Sequence, residues 1–353
     1  MSNALLLPQS VAQSAPSAPS APSISALAAP VLAALWGDQV PFNEGVGMSG
    51  HPLLPQSELY SRICVRDPYF ALREVTMVGP GEVLARVPVE QDPGAEASPI
   101  NAAEVGRHLA ILGSCASALV NPKEGQHYYL ARRARLARLH DGPRARLDEP
   151  LWGLARAEFV DKRCTRASTV LADPDGLPLY SLEVDYHVLS AAAFQRLFQG
   201  AKLEMRREPR AERAPRGATP ADFAAMRKNP HREPPPLKDY VHDGECMKAT
   251  LAVTAELCKG HFALHPVLPV AVVMSGLSGL AGSVLRHLVG NAQARYLVTR
   301  GEVRADSLAY AGETVTFGAH RQSVQGSEHR FYCWASVGER LIGVMDLTLT
   351  SLE

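Results

Sequence analysis

The chain has 353 residues, enough for two ordinary domains with substantial cores. With 46% hydrophobic and 20% charged residues it has the composition of a folded globular protein, and its formal net charge of zero excludes a nucleic-acid binder that relies on a strong global field. The six cysteines form no C-x-x-C pair and no zinc-finger spacing, so no metal site is expected and they read as thiols in a reducing compartment.

The first residues are low in complexity: Ser14 to Ser23 reads SAPSAPSAPS, a composition that cannot build a core. Residues 1–45 are expected to be a disordered leader, within which the apolar run 24–36 could dock as a short helix interrupted by Pro30. The first Lys or Arg is Arg62, so the positive n-region of a secretory signal and an Arg-rich transit peptide are both absent. No stretch reads as a membrane span. These points give the expectation of a cytoplasmic protein with neither a membrane nor a nucleic acid as partner.

A domain is expected over 46–199. Extended runs at Phe70 to Thr76 and Val83 to Val89 flank the turn Gly79-Pro80-Gly81 and predict a hairpin. Asn101 to Val120 follows Pro99 and predicts a long helix capped by Asn101, apolar nearly all round in its second half and therefore buried. Strands are predicted at His127 to Leu139, Leu154 to Leu171 and Leu177 to Val188, with turns at Asp141-Gly142 and Asp175-Gly176. Residues 200–236 are Pro-rich and basic (REPRAERAPRGATP, NPHREPPP) and read as a linker or exposed insertion. A second domain over 237–353 repeats the pattern. It has a strand at Met247 to Leu257, a His/Pro loop, a helix from Pro269 to Val289, and strands at Ala294 to Ala305, Glu313 to His320, Arg330 to Val337 and Leu341 to Leu352. A repeat of this size indicates duplication of an α+β domain, one long helix wrapped by an antiparallel sheet.

The segment HFALHPVLPVAVVMSGLSG (His261 to Gly279) resembles the HFPGHPxxPG motif and central helix of the β-hydroxyacyl carrier-protein dehydratases. His261, Phe262, His265, Pro266 and Pro269 match; Ala263, Leu264 and Val270 depart from it. Val303 to Ala319 (VRADSLAYAGETVTFGA) resembles the family's strand, turn and strand. The resemblance covers most of residues 240–353, and over 50–190 only the order of elements carries it. It implies a double hot-dog fold and a substrate that is an acyl thioester of carrier protein or CoA. It further implies a base at His261, a backbone N–H at the start of the helix (Val270) that polarises the thioester carbonyl, and an acid on the opposite helix. No cofactor is implied, and a homodimer is left open.

A 3-hydroxyacyl thioester loses water through a base of near-neutral pKa, fixed donors for enolate-like charge, and a proton source for the hydroxyl. The family's acid position in the second helix is Ser275; a gapless alignment of the first half places His108 there, beside Arg107 and one turn after Glu104. The first half has no counterpart of His261, that place being near Gly94. One composite site is therefore expected, with His261 facing Glu104 and His108, and Val270, Ser275 and Arg107 against the substrate. Two readings of Glu104, Arg107 and His108 stay open: proton donors, or residues that pair with one another in the first turn. A one-turn slip would put Gly113 at the acid position and leave no acid. His265 fits a structural loop role, and the small face Ser275, Ser278, Gly279 and Gly282 fits helix packing. The run Arg132, Arg133, Arg135, Arg138, Arg144 and Arg146, with Arg206 to Arg216, could meet an acidic carrier protein or a pantetheine phosphate, or be a solvated face. The expected activity is dehydration of a 3-hydroxyacyl thioester; the alternatives are thioester hydrolysis and a catalytically degenerate protein that binds acyl chains or scaffolds a synthase.

Overall fold

The computed structural model describes residues 52–140, 151–196, 198, 229–262 and 265–352. The expected leader with its helix at 24–36, the turn Asp141-Gly142, Arg144, Arg146, residues 200–228 of the linker with Arg206 to Arg216, and Ala263 and Leu264 of the motif lie outside the described residues. The first half runs α1 (Gln56–Ile63), β1 (Arg73–Gly79), β2 (Glu82–Val87), α2 (Ala102–Val120), β3 (His127–Arg138), β4 (Leu151–Asp161), β5 (Cys164–Ala172) and β6 (Pro178–Ser190). A short 3₁₀ turn (Pro230–Arg232) follows, then β7 (Lys238–Asp243), β8 (Cys246–Ala252), α3 (Val270–Leu288), β9 (Arg295–Ala305), β10 (Thr314–Gln325), β11 (Glu328–Val337) and β12 (Arg340–Leu352).

All the strands join one 12-stranded sheet in the order β1-β2-β4-β5-β6-β3-β9-β12-β11-β10-β8-β7. Read inward from its two edges, this is one arrangement used twice, each strand of the first half corresponding to the strand six later. The halves meet where β3 and β9 pair antiparallel, from Arg133↔Arg304 to Ala137↔Arg300. Each half encloses its own helix and core, Leu109, Leu112 and Tyr180 lying in one and Leu277, Val284 and Phe317 in the other. The helices are buried because their apolar residues run nearly all round: Val105, Leu109, Leu112 and Cys115 of α2 are all inaccessible. The molecule is a double hot-dog, two buried helices wrapped by one continuous antiparallel sheet.

Four details differ from the sequence reading. The run Leu154 to Leu171 is two strands, split by a turn in which the Asp161 carboxylate accepts the Arg163 N–H at 2.7 Å. The strand expected to Leu257 ends at Ala252, and the hairpin strand β7 precedes it, fully exposed along its length. Helix α1 was not anticipated. By length and composition α3 could cross a bilayer, contrary to expectation, but 56% of that stretch is buried in the protein, where it is the core helix of the second half.

Candidate active site

The two helices begin differently. In α2 the Asn101 side chain accepts from Glu104 N–H at 2.8 Å, as its position before the helix predicts, and the Glu96 carboxylate accepts from Ala102 N–H at 2.8 Å. Two first-turn amides of α2 are thus taken by side chains of the protein itself, one of them a carboxyl group. Burial pushes the Glu96 carboxyl up to about 7, against the pull of the Ala102 N–H and Arg138. In α3 the residue before the helix is Pro269, which offers no side-chain cap; its carbonyl accepts from Val272 and Val273 N–H. Among the described residues the Val270 and Ala271 amides receive no such partner, and both residues line a cavity of about 520 Å³ between the helices and the sheet. Free amides at a helix start are a ready seat for negative charge.

His261 lines the same cavity. It is held from both halves of the chain. Val65 of the first half bridges to His261, and Arg66 N–H donates to the Gly260 carbonyl at 2.8 Å. Gly260 has φ +82°, and a Cβ there would stand 2.4 Å from the Arg66 carbonyl and 2.7 Å from Tyr69 N, so only glycine admits this approach. Phe262, next in the chain, has φ +58°, a sparsely populated conformation for a bulky residue. The imidazole lies edge-on to Tyr69 (centroids 5.2 Å apart) and stacks on Phe262 (4.0 Å). Its Nδ1 is 3.3 Å from the Val267 carbonyl. A carbonyl only accepts, so Nδ1 carries the proton and Nε2 keeps a lone pair. Burial lowers the His261 pKa to about 4, only partly offset by the Val267 carbonyl, and His231 adds to the lowering. At neutral pH His261 is an uncharged imidazole.

Glu104 and His108 are brought together, but away from His261. Neither lines the large cavity. Glu104 accepts from Glu90 N–H at 2.7 Å and Gln91 N–H at 3.2 Å, and lies 3.5 Å from the Arg107 guanidinium and 3.3 Å from His108 Nε2. Burial opposes ionisation of Glu104, but His108, the Arg107 charge and the Glu90 N–H together hold its carboxyl below the ordinary range. Burial first, and Arg107 second, depress the His108 pKa, and its Nε2 lies 3.0 Å from the Arg107 guanidinium. Donor atoms of Glu90, Glu104 and His108 lie within 4.8 Å of one another, a spacing a metal could use. The Arg107 guanidinium already stands among them, paired with Glu90 and Glu104, and is the cation of the cluster. Of the two readings left open by the sequence, mutual pairing is the arrangement found.

The expected substrate contacts divide. Val270 lines the cavity; Ser275 and Arg107 instead line a separate, water-sized void of about 20 Å³ with Glu104 and His231. That placement sets Ser275 and Arg107 apart from the cavity that Val270 lines. His265 is buried with its ring 5.0 Å from that of Phe194, as suits a structural residue. Of the small face, Gly282 packs on the Tyr296 hydroxyl, as helix packing requires. Within the basic run, Arg133 pairs with Glu302 and Arg135 with Glu183, while buried Arg138 donates to Ser98 and Tyr180. Arg132 is exposed and lines the cavity.

Tyr69 and His231 were not read from the sequence. Tyr69 is buried, lines the cavity and touches both imidazoles, its ring 5.0 Å from His231. His231 Nε2 is 2.9 Å from the Lys259 carbonyl, and the His231 carbonyl accepts from Gln91 at 2.7 Å and Arg107 at 3.2 Å. The 3₁₀ turn, which lies inside the stretch 200–236 read as a linker, is thereby tied to the first turn of α2 and to the loop that carries His261. No local motif marks either residue; at most, the turn-forming NPH sequence at 229–231 hinted at an ordered turn.

No protein-family model matches the chain, and no curated protein matches its sequence. Solved structures do. A tesB protein of Mycobacterium avium subsp. paratuberculosis superposes with a TM-score of 0.50 at 10% identity, over 79% of this chain and 96% of that one. A putative oleoyl thioesterase of Lactobacillus plantarum gives 0.49 at 12% identity, over 78% and 100%. An acyl-ACP thioesterase of Bacteroides thetaiotaomicron gives 0.46 at 13% identity, over 76% and 98%. The expectation of a dehydratase, a lyase, is corrected here: the structure that superposes at 0.50 is named a tesB protein and not a dehydratase, and Glu104 does not line the cavity where it could protonate a leaving hydroxyl. What the chain shares with the tesB protein is architecture, and on that evidence together with its own sheet order it is a double hot-dog protein.

Proposed function

We propose that this protein hydrolyses an acyl thioester, with His261 as the base and the first turn of α3 as the oxyanion site. The observation that carries the reading is that a neutral imidazole and an uncapped helix start line one largely apolar cavity between the two halves. Such a cavity falls in the size range of small-molecule sites. The architecture is shared with a tesB protein, and other similar solved structures are named an oleoyl and an acyl-ACP thioesterase, which accords with the choice of substrate.

In this mechanism the acyl chain lies in the cavity with its carbonyl at the Val270 and Ala271 amides. His261 Nε2 takes a proton from water as the water oxygen attacks the carbonyl carbon. The negative charge that develops on the carbonyl oxygen meets amides already in place, and this costs no reorganisation. Collapse breaks the C–S bond, and the imidazolium returns its proton to the departing sulfur, giving a carboxylic acid and a thiol. Tyr69 holds the imidazole plane from the first half of the chain. Arg132, exposed where it lines the cavity, suits a phosphate of the pantetheine carried by CoA or a carrier protein. Incubation with saturated acyl-CoA and acyl-carrier-protein thioesters in isotopically labelled water, followed by mass spectrometry, tests this. The label should appear in the released acid; intact thioester bound without turnover would make the protein an acyl binder instead.

A further inference from the structure

We infer that the acyl chain taken by this cavity bears an oxygen substituent, a hydroxyl or keto group, that hydrogen-bonds to Ser278. This rests on the reading of the cavity as an acyl site. Ser278 is 5% exposed, stands on α3 and lines the cavity, and its Oγ has no hydrogen-bond partner. Two other serines of these helices satisfy themselves, Ser114 Oγ donating to the carbonyl of Ala110 and Ser283 Oγ to that of Gly279, each at 2.9 Å, while Ser117 Oγ is also unpartnered but does not line the cavity. Ser278 has the same option one turn back and does not take it. The same cavity is walled by Met274, Val298, Met345 and Leu347, whose side chains offer no strong donor or acceptor. A buried hydroxyl left unmatched on such a wall is unfavourable, and a saturated chain would leave it so. An oxygenated chain would not.

The position of Ser278 sets where that oxygen belongs. It follows Val270, at the proposed oxyanion site, by eight residues, which is ~12 Å along a helix. An extended chain advances about 1.2 Å per bond, a third of the length of a peptide residue, so the substituent falls roughly ten bonds beyond the thioester carbon. The substrate class is thus a mid-chain oxygenated fatty acyl thioester.

The test compares hexadecanoyl-CoA with a hydroxyhexadecanoyl-CoA whose hydroxyl sits at that distance. A single neutral hydrogen bond predicts a kcat/KM ratio of roughly tenfold in favour of the hydroxylated substrate. Ser278→Ala, checked for folding by its thermal transition, should bring the ratio to about one. A ratio near one in the natural protein, as expected if the hydroxyl binds only water, overturns the inference, and so does a preference that survives in Ser278→Ala. If neither thioester is cleaved, the hydrolase reading falls. The dissociation constants of the two free acids, measured by displacement of a fluorescent fatty acid, then judge Ser278 by the same ratio.

Discussion

His108 lies 3.3 Å from a carboxylate and 3.0 Å from a guanidinium, whereas His261 has a single backbone carbonyl at 3.3 Å and two aromatic rings. The first imidazole is consumed by its neighbours; the second keeps a lone pair on the wall of a cavity. The same contrast separates the acids. Glu104 is fixed by two backbone N–H groups and a cation, so its loss should be felt in stability. Removing one member of a buried ion cluster costs ~3–5 kcal/mol because its partners stay buried and unmatched. Glu104→Gln should therefore lower the thermal transition markedly while changing kcat/KM of the folded protein by less than about tenfold, well short of the ~10²–10⁴-fold loss expected for removal of a proton-transfer group. A larger kinetic loss without a stability loss would place Glu104 in the chemistry.

At the scale of elements, α2 forms part of the cavity wall. Gly106 lines the cavity, and a Cβ there would meet nothing within 4 Å. Gly106→Leu should fit the helix without strain and gain some propensity, up to ~1 kcal/mol, while its side chain enters the cavity. Turnover of hexadecanoyl-CoA should fall at least tenfold by kcat/KM and that of acetyl-CoA much less, since the long chain needs the occupied space. Equal effects on both would mean the chain does not run past Gly106. The helices themselves were legible: Pro99 and Asn101 mark one start, Pro269 the other, and continuous apolar faces give their lengths to within a residue or so. Strand β7 was not, because KDYVHD is exposed throughout, Tyr240 and Val241 included, and pairs with only one neighbour at the sheet edge. The site divides the same way. His261 sits in a motif and could be read; Tyr69 and His231 reach it from segments far away in sequence. The alignment that put His108 on the right helix carried no information on which side of that helix the cavity lies.

For the molecule as a whole, the buried titratable groups set a pH dependence with a definite sign. His231 and His261 are held near 4, chiefly by burial, against an ordinary value of ~6.5. Between those values the unfolded chain binds protons that the folded one refuses, so stability falls as pH drops from ~6.5 towards 4. Glu96, raised to about 7 by burial, works the other way: the folded state holds its proton over the range in which the unfolded state has lost it, so its contribution declines as pH rises. Two histidines outweigh one glutamate, and the net trend is acid destabilisation. Thermal transitions from pH 7 to pH 4 should show it, and Glu96→Gln should steepen the fall; a shallower fall in that variant would contradict the burial of Glu96 in its ionisable form.

The function of the whole fold turns on whether two halves, joined in one sheet, present one imidazole to a thioester. That is measured most directly by the rate of thiol release from hexadecanoyl-CoA by the natural protein and by His261→Ala, with folding verified for both. The account predicts steady thiol release by the first and a loss of ~10²–10⁴-fold in kcat/KM in the second, the usual range for removal of a proton-transfer group. Full activity in His261→Ala, or no thiol release by the natural protein from any acyl thioester, would contradict it.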